Sequence, residues 1–342
     1  MRKARAAKKL AQAAAFGGGG LGLIGATLYG VLTAEARYAK RVIGPMKAHP
    51  TRGDGLYGRY PGRPITLAMI GDSSAAGYGT SSPDETPGVL LACGLAELAK
   101  RPVRLVDVSR TGAKSIDLAG QVDNALLAGP YVAAILIGVN DVKSQVPPST
   151  SVRLLDSAVR RLRAANCEVV VGTCPDLGVV RPIMPPLRQV ARSWSQRLAA
   201  AQTISVVEAG GRTVSMGSLL SEAFRTNPSM WGPDNFHPSV TGYAAAAAAL
   251  LPSVAASVGV GPESFVQPEL FRGEAVLPIA EAAVKAVRTA GTEVAAAKVA
   301  GHERGPRGRW AQLRHRRRHP EVEVERVEEG STDATDAVPV GK

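Results

Sequence analysis

Ile65-Thr66-Leu67-Ala68-Met69-Ile70-Gly71-Asp72-Ser73-Ser74 is the stretch on which the reading of this chain turns. An apolar run, interrupted only by Thr66, stops at Gly71, and three small polar residues follow. A short, continuously apolar run of this kind is a strand buried on both faces. Gly, Asp and Ser favour turns, so Ser73 stands just beyond the strand's C-terminal end.

The same pattern recurs downstream. Val103–Val108, Tyr131–Ile137, Glu168–Gly172 and Ile204–Val207 read as further strands, and residues 88–98, 115–127, 152–165, 186–201 and 239–256 read as helices. Ser239 is placed to cap the last of these helices. Strands alternating with helices predict an α/β domain over residues 64–257. Its architecture is three-layer and flavodoxin-like, a parallel five-stranded sheet with helices on both faces. Right-handed crossovers then gather the strands' C-terminal ends on one edge, where such folds bind ligands.

Three residues are expected at that edge. Ser73 follows the first strand. Gly112 follows the second, within Ser109-Arg110-Thr111-Gly112, and Asn140 follows the third, within Gly138-Val139-Asn140-Asp141. With the second and third strands flanking the first, a hydroxyl, a backbone N–H and a side-chain amide surround one point, which suits a tetrahedral intermediate with a developing oxyanion. Five histidines occur in the chain, and His237 alone falls within 64–257. Asp234, three residues earlier, is spaced to hold its imidazole. Each residue has an ordinary reading as well: a strand-end turn, a helix cap, a structural histidine. Their joint order at successive strand ends favours Ser73 as nucleophile, His237 as base and Asp234 as its orienter.

These blocks resemble the SGNH/GDSL hydrolase family. Gly71-Asp72-Ser73-Ser74 is similar to its first block, with Ser74 where many members carry Leu. Gly112 resembles the second-block glycine, Gly138-x-Asn140-Asp141 the third block and Asp234-x-x-His237 the last. The resemblance covers residues 65–256. It implies a Ser73–His237–Asp234 triad and an oxyanion hole formed by the Ser73 N–H, the Gly112 N–H and the Asn140 side chain, with no metal and no cofactor. Asp107 departs from the pattern, which leads one to expect Asn ahead of the second-block glycine.

Other classes fit less well. Gly71, Gly77 and Gly79 do not make the dinucleotide fingerprint, and no phosphate-loop lysine follows. Ala75 stands where the lipase elbow G-x-S-x-G needs its last glycine. The net charge of +12 suggests nucleic acid until it is located. Residues 1–50 carry nine Lys/Arg against Glu35, and residues 302–319 carry seven Arg against Glu303, whereas 320–342 are acidic. Only +3 remains for residues 51–301, so no nucleic-acid partner is expected for the central domain. Cys167 and Cys174 bracket a strand of about 23 Å, too far apart for a disulfide. With Cys93 they read as buried free thiols.

The ends read differently. Arg2, Lys3, Arg5, Lys8 and Lys9 precede a segment, Leu10 to Ala34, without a charged residue. As a helix it would reach about 37 Å, enough for a hydrocarbon core of about 30 Å. Residues 1–34 therefore read as a basic head and a membrane anchor, with cleavage near Ala34-Glu35-Ala36 as the alternative. Residues 35–63 read as a linker. Residues 262–278 read as loop, with an apolar stripe from Ile279 to Ala297 at helical spacing inside an extension over 258–301. Residues 302–342 lack apolar pattern and read as a disordered charged tail. The expectation is a serine esterase at the cell membrane, its catalytic domain outside the cytoplasm, acting on short-chain or acetyl esters, small or borne on envelope polymers. The alternatives are secretion after cleavage, acyl transfer to a sugar or lipid hydroxyl, and a binding protein on the same fold. Oligomeric state is not legible.

Overall fold

The computed structural model describes residues 27–44, 52–260, 275–289, 292–297 and 310–315. A helix over residues 27–43 comes first (α1), followed by a short strand, Gly55–Tyr57 (β1). The expected strands follow as β2 (Ile65–Gly71), β3 (Val103–Asp107), β4 (Val132–Leu136) and β5 (Glu168–Gly172), with β6 at Arg212–Val214. Five strands run parallel in the order β3-β2-β4-β5-β6. β2 thus lies between β3 and β4, and the loops after all three open on one edge. The α/β class and the parallel order stand; the sheet is larger than expected, with nine strands among the described residues.

Alternate residues of β2 feed two cores. Leu67 and Met69 pack with α3 (Pro87–Ala99) and α9 (Val240–Ser257). Ala68 and Ile70 pack on the other face with α4 (Leu118–Leu126) and α6 (Pro148–Ala164). Period-two alternation inside a wholly apolar strand is what a sheet covered on both faces requires. Ser239 caps α9 by accepting from the Gly242 N–H. Among the described residues α9 is the one helix long and apolar enough to cross a membrane; its Leu250 and Val254 are fully buried in the first core.

Several expectations are corrected. Ile204–Val207 is not a strand but the end of α7 (Leu187–Glu208). Val206 faces the second core and Val207 a smaller one under the C-terminal strands, so tertiary burial keeps these β-branched residues helical. The linker is structured in part: α1 runs through residue 43, and β1 pairs antiparallel with β3. The loop expected at 262–278 ends in a strand, β7 (Ala275–Pro278); residues 261–274 lie outside the described residues. The stripe from Ile279 is helical only to Arg288 (α10), and Thr292–Ala296 is a strand (β8). Within the expected tail, Trp310–His315 forms β9, with Ala311 and Leu313 buried. The rest of that tail and residues 1–26, which include most of the expected anchor, lie outside the described residues. Cys93 is exposed, whereas Cys167 and Cys174 are buried, and all three are free.

At the end of β2 the chain turns at Gly71, with φ +141°, and a Cβ there would sit 1.9 Å from the Leu136 carbonyl oxygen. Asp72 then caps the four-residue helix Ser73–Ala76 (α2), its Oδ1 accepting from the Ser74 N–H at 2.8 Å. Oδ2 is buried and has no hydrogen-bond partner. Burial pushes the Asp72 carboxyl up to about 7 against its bond to Ser74.

Two stability predictions follow from this corner. Gly71→Ala is expected to lower unfolding free energy by at least about 2 kcal/mol, combining the left-handed backbone with the clash; urea denaturation measures it, and a loss below a few tenths would refute the crowding. Asp72 is raised in the folded state, so its contribution is complete below about pH 4 and is lost as pH rises towards about 7. Asp72→Asn is therefore expected to gain on the wild type across that window, by up to about 4 kcal/mol. A stability difference between the two that is flat with pH would contradict it.

Candidate active site

Ser73 opens α2 at the C-terminal edge of the sheet and is 5% exposed. Its N–H belongs to the first helical turn, where no intrahelical acceptor exists. His237 comes from the loop before α9. That loop is closed by a bridge between Trp231 and Pro238 and by the Gly232 N–H donating to the His237 carbonyl at 2.8 Å. Asn235 sits at φ +54° within it, a conformation Asn tolerates better than most residues. The Asp234 Oδ1 accepts from the Phe236 and His237 N–H groups at 3.0 and 2.9 Å, which fixes the carboxylate before it meets the ring.

The side chains then form one run. His237 Nδ1 lies 2.6 Å from Asp234 Oδ2, and His237 Nε2 lies 3.1 Å from Ser73 Oγ. With Nδ1–H donating to the carboxylate, Nε2 is free to accept from the Ser73 hydroxyl. The imidazole is 5% exposed, flanked by the rings of Tyr78 and Phe236 at 4.4 and 4.9 Å. Burial acts to raise the Asp234 carboxyl, but the bonds from the His237 ring and from the two N–H groups outweigh it and hold the group below its ordinary range. It remains an anion beside the imidazole.

Gly112 and Asn140 are held together rather than bonded to Ser73. The Gly112 backbone is left-handed, φ +81°, inside a turn closed by the Ala113 N–H donating to Arg110 O. Asn140 Nδ2 donates to the Ala113 carbonyl at 3.0 Å, which leaves its second amide hydrogen. Asp141 accepts from the N–H and hydroxyl of Ser115, all three contacts at 3.1 Å. The block Gly138–Asp141 thus grips the loop after β3 with two side chains in succession. Burial raises the Asp141 carboxyl despite the Ser115 bonds. Asp107, the departure from the family pattern, ends β3 and accepts from the Ser109 N–H and hydroxyl; burial pushes it up to about 6.

Sequence reasoning missed two groups. Gln121, on α4, brackets the Gly71 peptide, its Oε1 accepting from Gly71 N–H at 2.7 Å and its Nε2 donating to Gly71 O at 2.9 Å. Nothing in its sequence context distinguishes it. The other is an apolar wall. A cavity of about 70 Å³ opens beside Ser73 and His237, bounded by Leu177, Val180, Met216, Phe224, Trp231 and Phe236. Met216 and Phe224 belong to α8 (Met216–Thr226). A signal existed: Phe224, Trp231 and Phe236 cluster in a chain that has five Phe and three Trp in all. Among the loops at this edge, 174–186 lines the cavity, 74–87 contributes Ser74, and 141–150 contributes no lining residue. Asp176 is both a cap, accepting from Gly178 N–H, and part of the lining.

The chain matches the family model described as GDSL-like Lipase/Acylhydrolase over residues 69–245. It is 41% identical over 251 residues to the GDSL-like esterase Rv1075c of Mycobacterium tuberculosis, covering 70% of this chain and 79% of that protein. Among solved structures it is similar to LAE5, an alpha/beta hydrolase enzyme from the metagenome of Lake Arreo, Spain, with TM-score 0.46, 21% identity, and 57% and 95% of the two chains covered. It is similar also to a catalytic mutant of Axe2, an acetylxylan esterase from Geobacillus stearothermophilus, with TM-score 0.45, 20% identity, and coverage of 56% and 94%. The matched span runs from within the strand that presents Ser73 to within the helix that follows His237, and on it the chain belongs to the GDSL-like lipase/acylhydrolase family and is a carboxylic ester hydrolase.

Proposed function

We propose that this enzyme is a serine esterase held at the membrane by residues 10–34, with its catalytic domain outside the cytoplasm and short-chain acyl esters as substrates. What supports the catalytic assignment above all is the continuous hydrogen-bonded run Ser73–His237–Asp234. Ser73 Oγ attacks the ester carbonyl while His237 Nε2 takes its proton, and Asp234 stabilises the imidazolium. The oxyanion is received by the Ser73 N–H, the Gly112 N–H and the second amide hydrogen of Asn140. Collapse expels the alcohol, protonated by His237, and leaves an acyl-enzyme on Ser73. Water, deprotonated by His237, then attacks that ester; the acid leaves and the Ser73 hydroxyl is restored.

The cavity supports a small acyl group. Its 70 Å³ corresponds to roughly five water-sized spheres, room for a few carbons against an apolar wall. The anchor rests on the uncharged run from Leu10 to Ala34, whose last residues, 27–34, are helical.

The purified full-length chain is expected to hydrolyse p-nitrophenyl acetate. Ser73→Ala or His237→Ala is expected to lower kcat by about a millionfold, and Asp234→Asn by about 10⁴-fold. Asn140→Ala is expected to cost about 10²–10³-fold. Circular dichroism distinguishes these losses from misfolding. A folded Ser73→Ala protein with wild-type turnover would refute the assignment.

A further inference from the structure

α1 docks on the catalytic domain through a defined stripe. Leu32, Glu35, Ala39 and Ile43 recur at spacings of three and four residues, which places them on one helical face, and Ala39 is 6% exposed. Glu35 Oε2 accepts from the Leu187 N–H at 2.9 Å, across 152 residues of chain. α7 begins at Leu187 with Pro186 in the cap position and no side-chain cap of its own. The first N–H groups of a helix need acceptors, and a carboxylate there is favoured by the helix dipole. Glu35, the sole acidic residue in the first fifty, supplies the missing cap.

The exposed surface of α1 changes character along its length. Leu28, Tyr29 and Val31 are 48%, 72% and 41% exposed, an uncovered apolar surface continuous in sequence with the uncharged residues 10–26. Beyond Ala34 come Arg37, Lys40 and Arg41. Tyr29 and Tyr38, both exposed, flank the change, as aromatic residues do at a membrane–water boundary. From Ala34 to Lys40 the helix rises about 9 Å, close to the depth of one headgroup layer, about 5–8 Å.

This basic end lies beside the active site. Leu187, which binds Glu35, directly follows the loop 174–186, and that loop lines the acyl cavity through Leu177 and Val180. Lys143 Nζ stands 5.9 Å from the centre of the Phe236 ring, within cation–π range. Phe236 in turn packs edge-on against His237 and lines the acyl cavity. Through Leu187 and that loop, the end of the apolar segment is connected to the cavity beside the catalytic base.

We infer that α1 holds the mouth of the catalytic pocket at the headgroup layer of the membrane, and that the substrate is a short acyl ester carried on the headgroup of a bilayer lipid, with Lys40 and Lys143 facing the anionic lipid surface. The inference rests on the anchored-esterase reading above and adds to it the orientation and the carrier of the ester. A cavity this small takes a short acyl group at the surface rather than a lipid tail. Tethering the site at that height raises the effective concentration of the ester it meets.

The test offers one acyl group in two forms. Full-length protein is reconstituted in vesicles of phosphatidylcholine and phosphatidylglycerol, with p-nitrophenyl acetate in the water or an O-acetylated glycolipid in the same bilayer, and acetate release is measured. Glu35→Lys places a cation where α7 needs an acceptor. It is expected to lower glycolipid turnover about tenfold or more while kcat/KM for p-nitrophenyl acetate stays within about twofold. Glu35→Gln keeps an acceptor oxygen for Leu187 and is expected to restore most of the loss. Equal losses on both substrates, or unchanged glycolipid turnover in Glu35→Lys, would overturn the inference. So would a wild-type protein that cleaves p-nitrophenyl acetate but not the glycolipid, which leaves the esterase reading standing; cleavage of neither would remove both.

Discussion

The site depends on one residue that carries no side chain. Gly71 ends β2 where β4 comes so close that a Cβ would overlap the Leu136 carbonyl. The peptides on both sides of it are held: Gln121 binds the Gly71 N–H and the Gly71 carbonyl, the Arg110 N–H donates to the same carbonyl, and the Asp72 N–H of that second peptide donates to Leu136 O. The turn carrying Gly112 and the loop carrying Asn140 are thereby referenced to the peptide that precedes Ser73. Buried backbone groups must be paired, and here that pairing also sets where the Ser73 hydroxyl, the Gly112 N–H and the Asn140 amide stand.

The same carboxyl chemistry takes two directions around this corner. Asp72, Asp107 and Asp141 are buried behind the strand ends, and desolvation raises all three. Asp234 is no better solvated than a half-buried group, yet the three hydrogen bonds it accepts, including the one from the histidine ring, hold it below its ordinary range. Environment rather than residue type separates the charge that works on His237 from the carboxyls that knit the loops together.

What the sequence reveals here follows from how local each signal is. The four inner parallel strands are legible because each is a buried apolar run, and Ser73, Gly112, Asn140 and His237 are legible because each follows a strand or precedes a capped helix. Val206 and Val207 mislead because helix and strand burial look alike over four residues; only the length of α7 decides between them. β6 has three residues, too few for any periodicity. β8 and β9 are short and alternate weakly, and β6, the strand that joins them to the parallel sheet, is distant in sequence. Gln121 cannot be read at all, since its role exists only once α4 lies over the end of β2. The apolar wall beside Ser73 is intermediate: its aromatic cluster is visible in the composition, but the side it faces is not.

The C-terminal strands belong to this site more closely than their distance in sequence suggests. β6 pairs with β5 on one side and antiparallel with β8 on the other, so the parallel sheet has no free edge there. The Arg212 guanidinium meets Glu293, which is fully buried and accepts also from the Ser253 hydroxyl of α9. A carboxylate so placed is tolerable only while both partners are present. One residue beyond β6, the Ser215 N–H donates to Thr292 O at 3.0 Å, and the next residue, Met216, lines the cavity beside Ser73. That wall is therefore positioned from the far side by residues 292–293. A chain that reads as a catalytic domain ending near residue 257 continues its sheet beyond that point, and the continuation fixes the pocket wall from behind.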